Sequence, residues 1–137
     1  MDNELLAIDD ADLHLSIVCK IAAQAGFRST GAHSVGEAAT LLHGRTFDCI
    51  TLDLSLGEQS GIEILKLLGE MKCRTPIIVI SGTGDEACEE TMKIGNFLGL
   101  NLCAPVPKPI HLAVLRTALI QIAHETQRQK LAASTGW

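Results

Sequence analysis

The alternation between short apolar runs and stretches with helical spacing constrains this chain most. Residues 5–8, 49–52 and 77–80 are three largely apolar runs, and each is followed by acidic, polar or glycine residues. Such runs are typical of strands that are buried on both faces of a parallel sheet. Between them, apolar residues recur every three or four positions, as they do in amphipathic helices. The alternation therefore predicts five βα units around a mostly parallel sheet.

Glycine, proline and capping residues indicate where the predicted strands and helices begin and end. The predicted strands are residues 5–8, 27–34, 47–54 and 77–80, with a fifth run at 100–106. We expect the fifth strand to lie at an edge and end early, because Pro105 and Pro107 interrupt it. A first helix ends before Gly26, a short one spans residues 35–42, and a third follows Gly61. Asp85 is a good N-cap for a fourth helix, and the last helix starts near residue 111.

Five such units with right-handed crossovers fit a doubly wound, flavodoxin-like sheet of strand order 2-1-3-4-5. In that order, ligands bind beyond the carboxyl ends of strands one and three, where the strand order reverses. Asp9 and Asp10 follow the first of these strands, and Asp53 ends the other. Three carboxylates at one sheet edge repel one another unless a cation joins them, and oxygen ligands suit Mg²⁺. The sequence thus predicts a Mg²⁺ site at this edge.

Phosphoryl transfer is the chemistry that such a site supports. Once a metal offsets the negative charge, one carboxylate can attack an incoming phosphoryl group. Ser81 follows the fourth strand and Lys108 follows the fifth run. Their hydroxyl and ammonium groups are therefore candidates to hold the phosphoryl oxygens.

Composition narrows the remaining possibilities. A chain of 137 residues with 47% hydrophobic content predicts one domain, with a core of about residues 4–124 and a polar helical extension at 125–137. The net charge of −5 without a Lys/Arg block argues against direct nucleic-acid binding. Five separated cysteines indicate a reduced, cytoplasmic protein. The start of the chain does not resemble a signal peptide, and no apolar run is long enough to predict a membrane span.

These motifs resemble the receiver domain of two-component response regulators, and the resemblance covers essentially the whole chain. It implies that Asp53 is the phosphoacceptor and that Asp9 and Asp10 are the acidic pair that holds Mg²⁺. It also implies that the Ser55 backbone carbonyl is a further metal ligand. By the same resemblance, Ser81 carries the switch hydroxyl and Lys108 is the phosphate-binding lysine.

The resemblance further implies a signalling switch. Such a domain takes its phosphoryl group from a histidine kinase or a histidine phosphotransfer protein and then changes its binding to a downstream effector or a fused output domain. It catalyses its own phosphorylation and dephosphorylation, so we expect it not to be a conventional enzyme. A second copy of the chain, in a homodimer, is a further candidate partner. Residues 95–101 resemble a stretch of receivers that are fused to EAL-type phosphodiesterase domains.

One departure from the family concerns the output. The position three residues before Lys108 usually carries Tyr or Phe in receivers, whereas this chain has Pro105 and contains no tyrosine. The usual coupling through a rotating aromatic ring therefore cannot operate at this position. This departure favours an alternative, in which the domain is a phosphorylation-independent interaction or dimerisation module. The intact acids, Ser81 and Lys108 argue against that alternative.

A phosphatase function and a histidine metal site have less support. A small phosphatase with an aspartate nucleophile would need a second acid two residues after Asp53, and Ser55 occupies that position. The five histidines show no metal-ligand spacing, so we interpret them as surface or capping residues. They are His14, His33, His43, His111 and His124.

Overall fold

Strands and helices alternate along the whole chain. A computed structural model describes residues 3–54, 58–81, 85–107 and 112–135. The strands are β1 (Asn3–Ile8), β2 (Phe27–Ala32), β3 (Cys49–Asp53), β4 (Ile77–Ser81) and β5 (Val106–Pro107). The helices are α1 (Asp12–Gln24), α2 (Val35–Gly44), α3 (Glu58–Glu70), α4 (Asp85–Phe97) and α5 (Leu112–Thr135).

The five strands form one parallel sheet of order β2-β1-β3-β4-β5. This confirms the predicted α/β fold class, with a doubly wound, flavodoxin-like strand order. The order reverses between β1 and β3, which are direct neighbours with Leu5 opposite Cys49 and Ile8 opposite Leu52. A crevice at their carboxyl ends is where this topology places ligands.

Strands β1 to β4 each contribute to two cores because successive side chains point to opposite faces of the sheet. Leu5 and Ala7 belong to the core that α1 and α5 cover. Leu6 and Ile8 belong to the core that α2 and α3 cover. Burial on both faces is why these runs are continuously apolar and do not alternate with polar residues.

Some element boundaries differ from the prediction. β2 ends at Ala32, two residues early, because Ser34 caps α2, with its Oγ accepting a hydrogen bond of 3.2 Å from the Glu37 backbone N–H. Helix α3 begins at Glu58, so Gly61 lies inside the helix and does not precede it. A Cβ at Gly61 would lie 3.1 Å from Leu54 Cδ2, so the missing side chain permits a close approach.

The short β5 agrees with the expected early end of the edge strand. It contains two residues, Val106 and Pro107, and before it only an isolated bridge joins Leu102 to Ile77 within the described chain. Proline cannot donate a ladder hydrogen bond, which accounts for the short pairing.

Helix α5 continues through the predicted polar extension to Thr135. Its later turns contact the amino ends of β1 and β3, since Lys130 Nζ lies 3.2 Å from Asn3 Oδ1 and 3.3 Å from Asp48 Oδ2. Gln127 Nε2 also donates to Asn3 Oδ1 at 3.2 Å. Gln127 and Lys130 of the predicted polar extension therefore contact the domain itself. Of the helices in the described ranges, none combines the length and the apolar character needed to cross a membrane.

Candidate functional site

The register of β1 and β3 brings two of the predicted acids together. Ile8 pairs with Leu52, so the next residues, Asp9 and Asp53, lie level at the carboxyl edge of the sheet. Both are buried, with 2% of Asp9 and 1% of Asp53 exposed to solvent. Asp10, the third predicted acid, follows Asp9 and is exposed. The structure thus brings Asp9 and Asp53 together as buried acids, whereas Asp10 faces solvent and is not among the side chains whose possible ligand atoms converge there.

Asp9 is oriented by the junction between β1 and α1. Its Oδ1 accepts a hydrogen bond of 3.0 Å from the Ala11 backbone N–H. Its own backbone N–H donates to the Ala32 carbonyl at 3.0 Å, which ties the strand end to β2. With Oδ1 held in this way, Oδ2 lies on the side of His14, 3.3 Å from its Nδ1.

His14 is a member of this site that the sequence interpretation missed. Its Nδ1 also lies 3.8 Å from Asp53 Oδ2, and one possible ligand atom from each of Asp9, His14 and Asp53 lies within 4.8 Å of the others. Its lack of metal-ligand spacing in the sequence instead predicts a surface or capping residue. The available signal was its place in the first turn of the helix that directly follows Asp9 and Asp10.

Ser81 stands at the end of β4, beside the acidic pair in register. Asp53 pairs with Ile80, so Ser81 lies one residue further along the neighbouring strand, where it pairs with Pro107 and is partly exposed. The predicted role of the Ser81 hydroxyl, which is to hold a phosphoryl oxygen, requires a position at this edge of the sheet. Ser55 and Lys108 lie outside the described residues, so their assigned roles stay predictions.

The side chains present fit a hard divalent cation. Two carboxylates that are almost fully buried within a few ångströms repel each other by several kcal/mol unless a positive charge compensates. Carboxylate oxygens are the preferred ligands of Mg²⁺, which usually keeps several waters.

A second histidine lies near this edge, at the end of β2. His33 Nε2 lies 2.6 Å from Asp12 Oδ1, and His33 Nδ1 lies 3.4 Å from Glu37 Oε1. The hydrogen bond to Asp12, followed by that to Glu37, raises the pKa of His33 above its usual 6.5. Both acids stabilise the imidazolium form.

Two cysteines have thiols that the fold keeps protonated. Burial raises the pKa of Cys49 far above its ordinary range, with smaller contributions from Cys103 and Asp48. Burial also raises the pKa of Cys103, and the nearby Glu125 adds to it. All five cysteines are free thiols. A thiol held in its neutral form is a poor nucleophile, so neither Cys49 nor Cys103 is a candidate for catalysis.

Comparison with known sequences gives this arrangement a family context. The family model described as "Response regulator receiver domain" matches residues 5–120. The transcriptional regulatory protein SrrA of Staphylococcus aureus is 35% identical over 86 residues, which are 63% of this chain and 35% of SrrA. The chain therefore aligns with little more than a third of that relative's length.

Solved structures share the fold at lower sequence identity. A response regulator from Colwellia psychrerythraea superposes with a TM-score of 0.80 at 24% identity, covering 91% of this chain and 99% of that chain. The chemotaxis response regulator CheY4 of Vibrio cholerae gives a TM-score of 0.72 at 23% identity, covering 89% of this chain and 99% of that chain. At these identities the likeness shows the fold alone.

Proposed function

This chain belongs to the response regulator receiver family of two-component systems, and from that premise we propose that it accepts a phosphoryl group on Asp53. The observation that carries the proposal is the position of Asp53, 1% exposed at the end of β3 and level with the buried Asp9. The proposed donor is a phosphohistidine of a histidine kinase or a histidine phosphotransfer protein. The reaction is proposed to depend on Mg²⁺.

The proposed metal ligands are Asp9, Asp10, Asp53 and the Ser55 backbone carbonyl. When bound, Mg²⁺ would supply positive charge that offsets the repulsion between the carboxylates and the incoming phosphoryl oxygens. The fold itself holds Asp9 and Asp53 at one edge through the pairing of β1 and β3. This preorganisation favours transfer because the reacting carboxylate needs no large rearrangement.

In the proposed transfer, an Asp53 carboxylate oxygen attacks the phosphorus atom. The bond from phosphorus to the donor imidazole nitrogen breaks, and its electron pair returns to that nitrogen. We assign the Ser81 hydroxyl and the Lys108 ammonium to the phosphoryl oxygens, whose charge both groups can stabilise. The product is an aspartyl phosphate that this same domain later hydrolyses. We therefore propose a self-modifying switch and not an enzyme that releases a transformed substrate.

The proposed output is a change in binding at the face formed by α4, β5 and α5. A shallow groove of about 420 Å³ lies on this face beside Pro105, with Cys88 and Met92 of α4 in its lining. Phe97, at the end of α4, is 89% exposed and adds apolar surface near this groove. These features suit an effector protein, a fused output domain such as an EAL phosphodiesterase, or a second copy of the chain. We propose that the domain works in the cytoplasm, where its kinase partners have ATP.

Mass spectrometry of the intact protein tests the phosphoacceptor role. Wild type, Asp53→Ala and Asp12→Asn are incubated with acetyl phosphate, with and without Mg²⁺. We expect a Mg²⁺-dependent phosphoryl adduct on wild type and on Asp12→Asn, and none on Asp53→Ala. Asp12 is the matched control because it is a carboxylate close to the site that is 90% exposed.

Each alternative function predicts a different result in this experiment. A phosphorylation-independent interaction module, which Pro105 favours, would give no adduct on any protein. A phosphatase would release phosphate continuously from small phosphate esters. Either outcome would overturn the proposed function.

A further inference from the structure

The His14 imidazole faces the same two carboxylates that the proposed function assigns to the metal. Its Nδ1 lies 3.3 Å from Asp9 Oδ2 and 3.8 Å from Asp53 Oδ2. The receiver roles assigned above contain oxygen ligands only. A nitrogen donor at this position is therefore a feature of this chain that those roles do not use.

The three atoms are close enough to share one ion. Protein nitrogen and oxygen ligands lie about 2.0–2.2 Å from a transition cation, so two ligands of one ion are separated by at most about 4.4 Å. Both histidine distances, 3.3 and 3.8 Å, fall below that limit. The three ligand atoms all lie within 4.8 Å of one another, so convergence on one ion needs each side chain to move by less than about 1 Å.

The solvent exposure of the His14 side chain allows that movement. The His14 side chain is 34% exposed, whereas those of Asp9 and Asp53 are 3% and 2% exposed. The imidazole therefore lies at the mouth of the site, between solvent and the buried carboxylates. A cation that enters from solvent can meet the imidazole and the acids together.

We propose that His14 is a further ligand of the metal site through Nδ1, so that the site binds divalent cations of the first transition row more tightly than Mg²⁺. This inference rests on the proposed metal site. Carboxylate and water ligands suit Mg²⁺, whereas imidazole suits later first-row cations, whose affinity for nitrogen-containing sites rises along the series from Mn²⁺ to Cu²⁺. One nitrogen ligand is therefore enough to change the preference of an acidic site.

Cobalt and magnesium titrations test the proposal. Co²⁺ is added to the full chain in a mildly alkaline buffer with a phosphine reductant, and visible absorption reports its ligation. Mg²⁺ is then measured by its displacement of Co²⁺ and by calorimetry. The proteins compared are wild type, His14→Ala, His14→Gln and the control His33→Ala, whose histidine is at the same sheet edge but pairs with Asp12.

We expect the ratio of Co²⁺ affinity to Mg²⁺ affinity to fall at least about tenfold in both His14 variants, since even an outer-shell partner of a metal is commonly worth that factor. The ratio should not change in His33→Ala. The Co²⁺ absorption bands should also shift in the His14 variants, because an imidazole nitrogen is replaced by water. Ala is a good helix former, so these variants of α1 should fold, and circular dichroism checks this.

Three results would overturn the proposal. The first is an affinity ratio that stays within about twofold of wild type in His14→Ala, far below the expected loss of a metal ligand. The second is a ratio retained in His14→Gln, since an amide can replace a hydrogen bond to Asp9 but is a poor metal ligand. The third is a sulfur-to-cobalt charge-transfer band, which would place the ion on a cysteine.

The same data separate this inference from the proposed function. If Mg²⁺ binds wild type and the aspartyl phosphate forms while the His14 variants keep the wild-type affinity ratio, only the role of His14 is wrong. If Mg²⁺ does not bind wild type and no adduct forms, the proposed function fails as well.

Discussion

At the scale of the residue, the site combines burial with charge. Asp9 and Asp53 are 2% and 1% exposed, and removing two carboxylates from water is costly unless positive charge or hydrogen bonds compensate. The Ala11 N–H supplies one such bond to Asp9, and His14 lies beside both acids. Neighbouring buried carboxylates of this kind are common at functional sites, and a bound cation would offset their mutual repulsion.

The neighbouring His33 makes stability depend on pH. Its folded-state pKa lies above 6.5 because of the hydrogen bonds to Asp12 and Glu37, so its contribution is fully present below about pH 6.5 and is lost as pH rises through the folded pKa. We expect His33→Gln to lower the melting temperature most at acidic pH and to approach wild type at alkaline pH.

Thermal unfolding of wild type, His33→Gln and Asp12→Asn across the neutral range measures this effect. Asp12→Asn removes the first partner and should reduce the same pH dependence. A difference between wild type and His33→Gln that stays constant with pH would show that the imidazolium contacts do not stabilise the fold.

The sequence could predict the acidic pair but not His14. Asp9 and Asp53 directly end apolar runs, so parallel pairing alone brings them to one edge. The direction of His14 depends on how α1 rotates about its axis when Leu15 and Val18 pack on the sheet. That rotation is set by tertiary packing, and a hydrophobic pattern fixes it too coarsely to aim a single side chain.

At the scale of the element, α4 and the segment that leads to β5 depend on one close approach. A Cβ on Gly95 would overlap Leu102 Cδ1 and lie 3.1 Å from its Cγ and 3.3 Å from its Cδ2. Gly99 then ends the helical segment with a φ of +74°, a conformation that glycine adopts without strain. The segment 95–101 resembles EAL-linked receivers in sequence. Its two glycines have structural roles in this domain, since Gly95 permits the contact with Leu102 and Gly99 ends the helical segment.

We expect Gly95→Ala to lower the free energy of unfolding by about 1 kcal/mol, because the cost of overpacking exceeds the gain in helix propensity. Rotation about the Cβ–Cγ bond of Leu102 would move the two Cδ atoms but leave Cγ in place, so relief of all three contacts needs a change of rotamer at the Cα–Cβ bond. Gly44→Ala is the matched control, since a Cβ there meets nothing within 4 Å and should leave stability unchanged or slightly higher.

Urea unfolding of the two variants measures the difference. Equal stability of Gly95→Ala and Gly44→Ala, or a gain for both, would contradict the packing argument. The prediction is specific to this contact because both glycines lie in helices.

At the scale of the whole molecule, the topology places chemistry and anchoring at opposite ends of the sheet. The carboxyl ends of β1 and β3 hold the acids, while Lys130 of α5 contacts Asn3 and Asp48 near the amino ends. Strand order was predictable because right-handed crossovers leave few alternatives. The packing of the last turns of α5 was not predictable from the sequence. A polar helix segment looks solvated in sequence even when its long side chains reach back to the sheet.

Identification of the residue that carries the phosphoryl group tests the central claim most directly. After treatment with acetyl phosphate and Mg²⁺, borohydride reduction converts an aspartyl phosphate to homoserine, which tryptic peptide mapping locates. Cleavage after Arg45 and Lys66 gives residues 46–66, in which Asp48 is an internal control for Asp53. We predict homoserine at position 53 alone, and only when Mg²⁺ is present. Homoserine at position 9, 10 or 48, or at no position, would contradict the assignment of Asp53 as the phosphoacceptor.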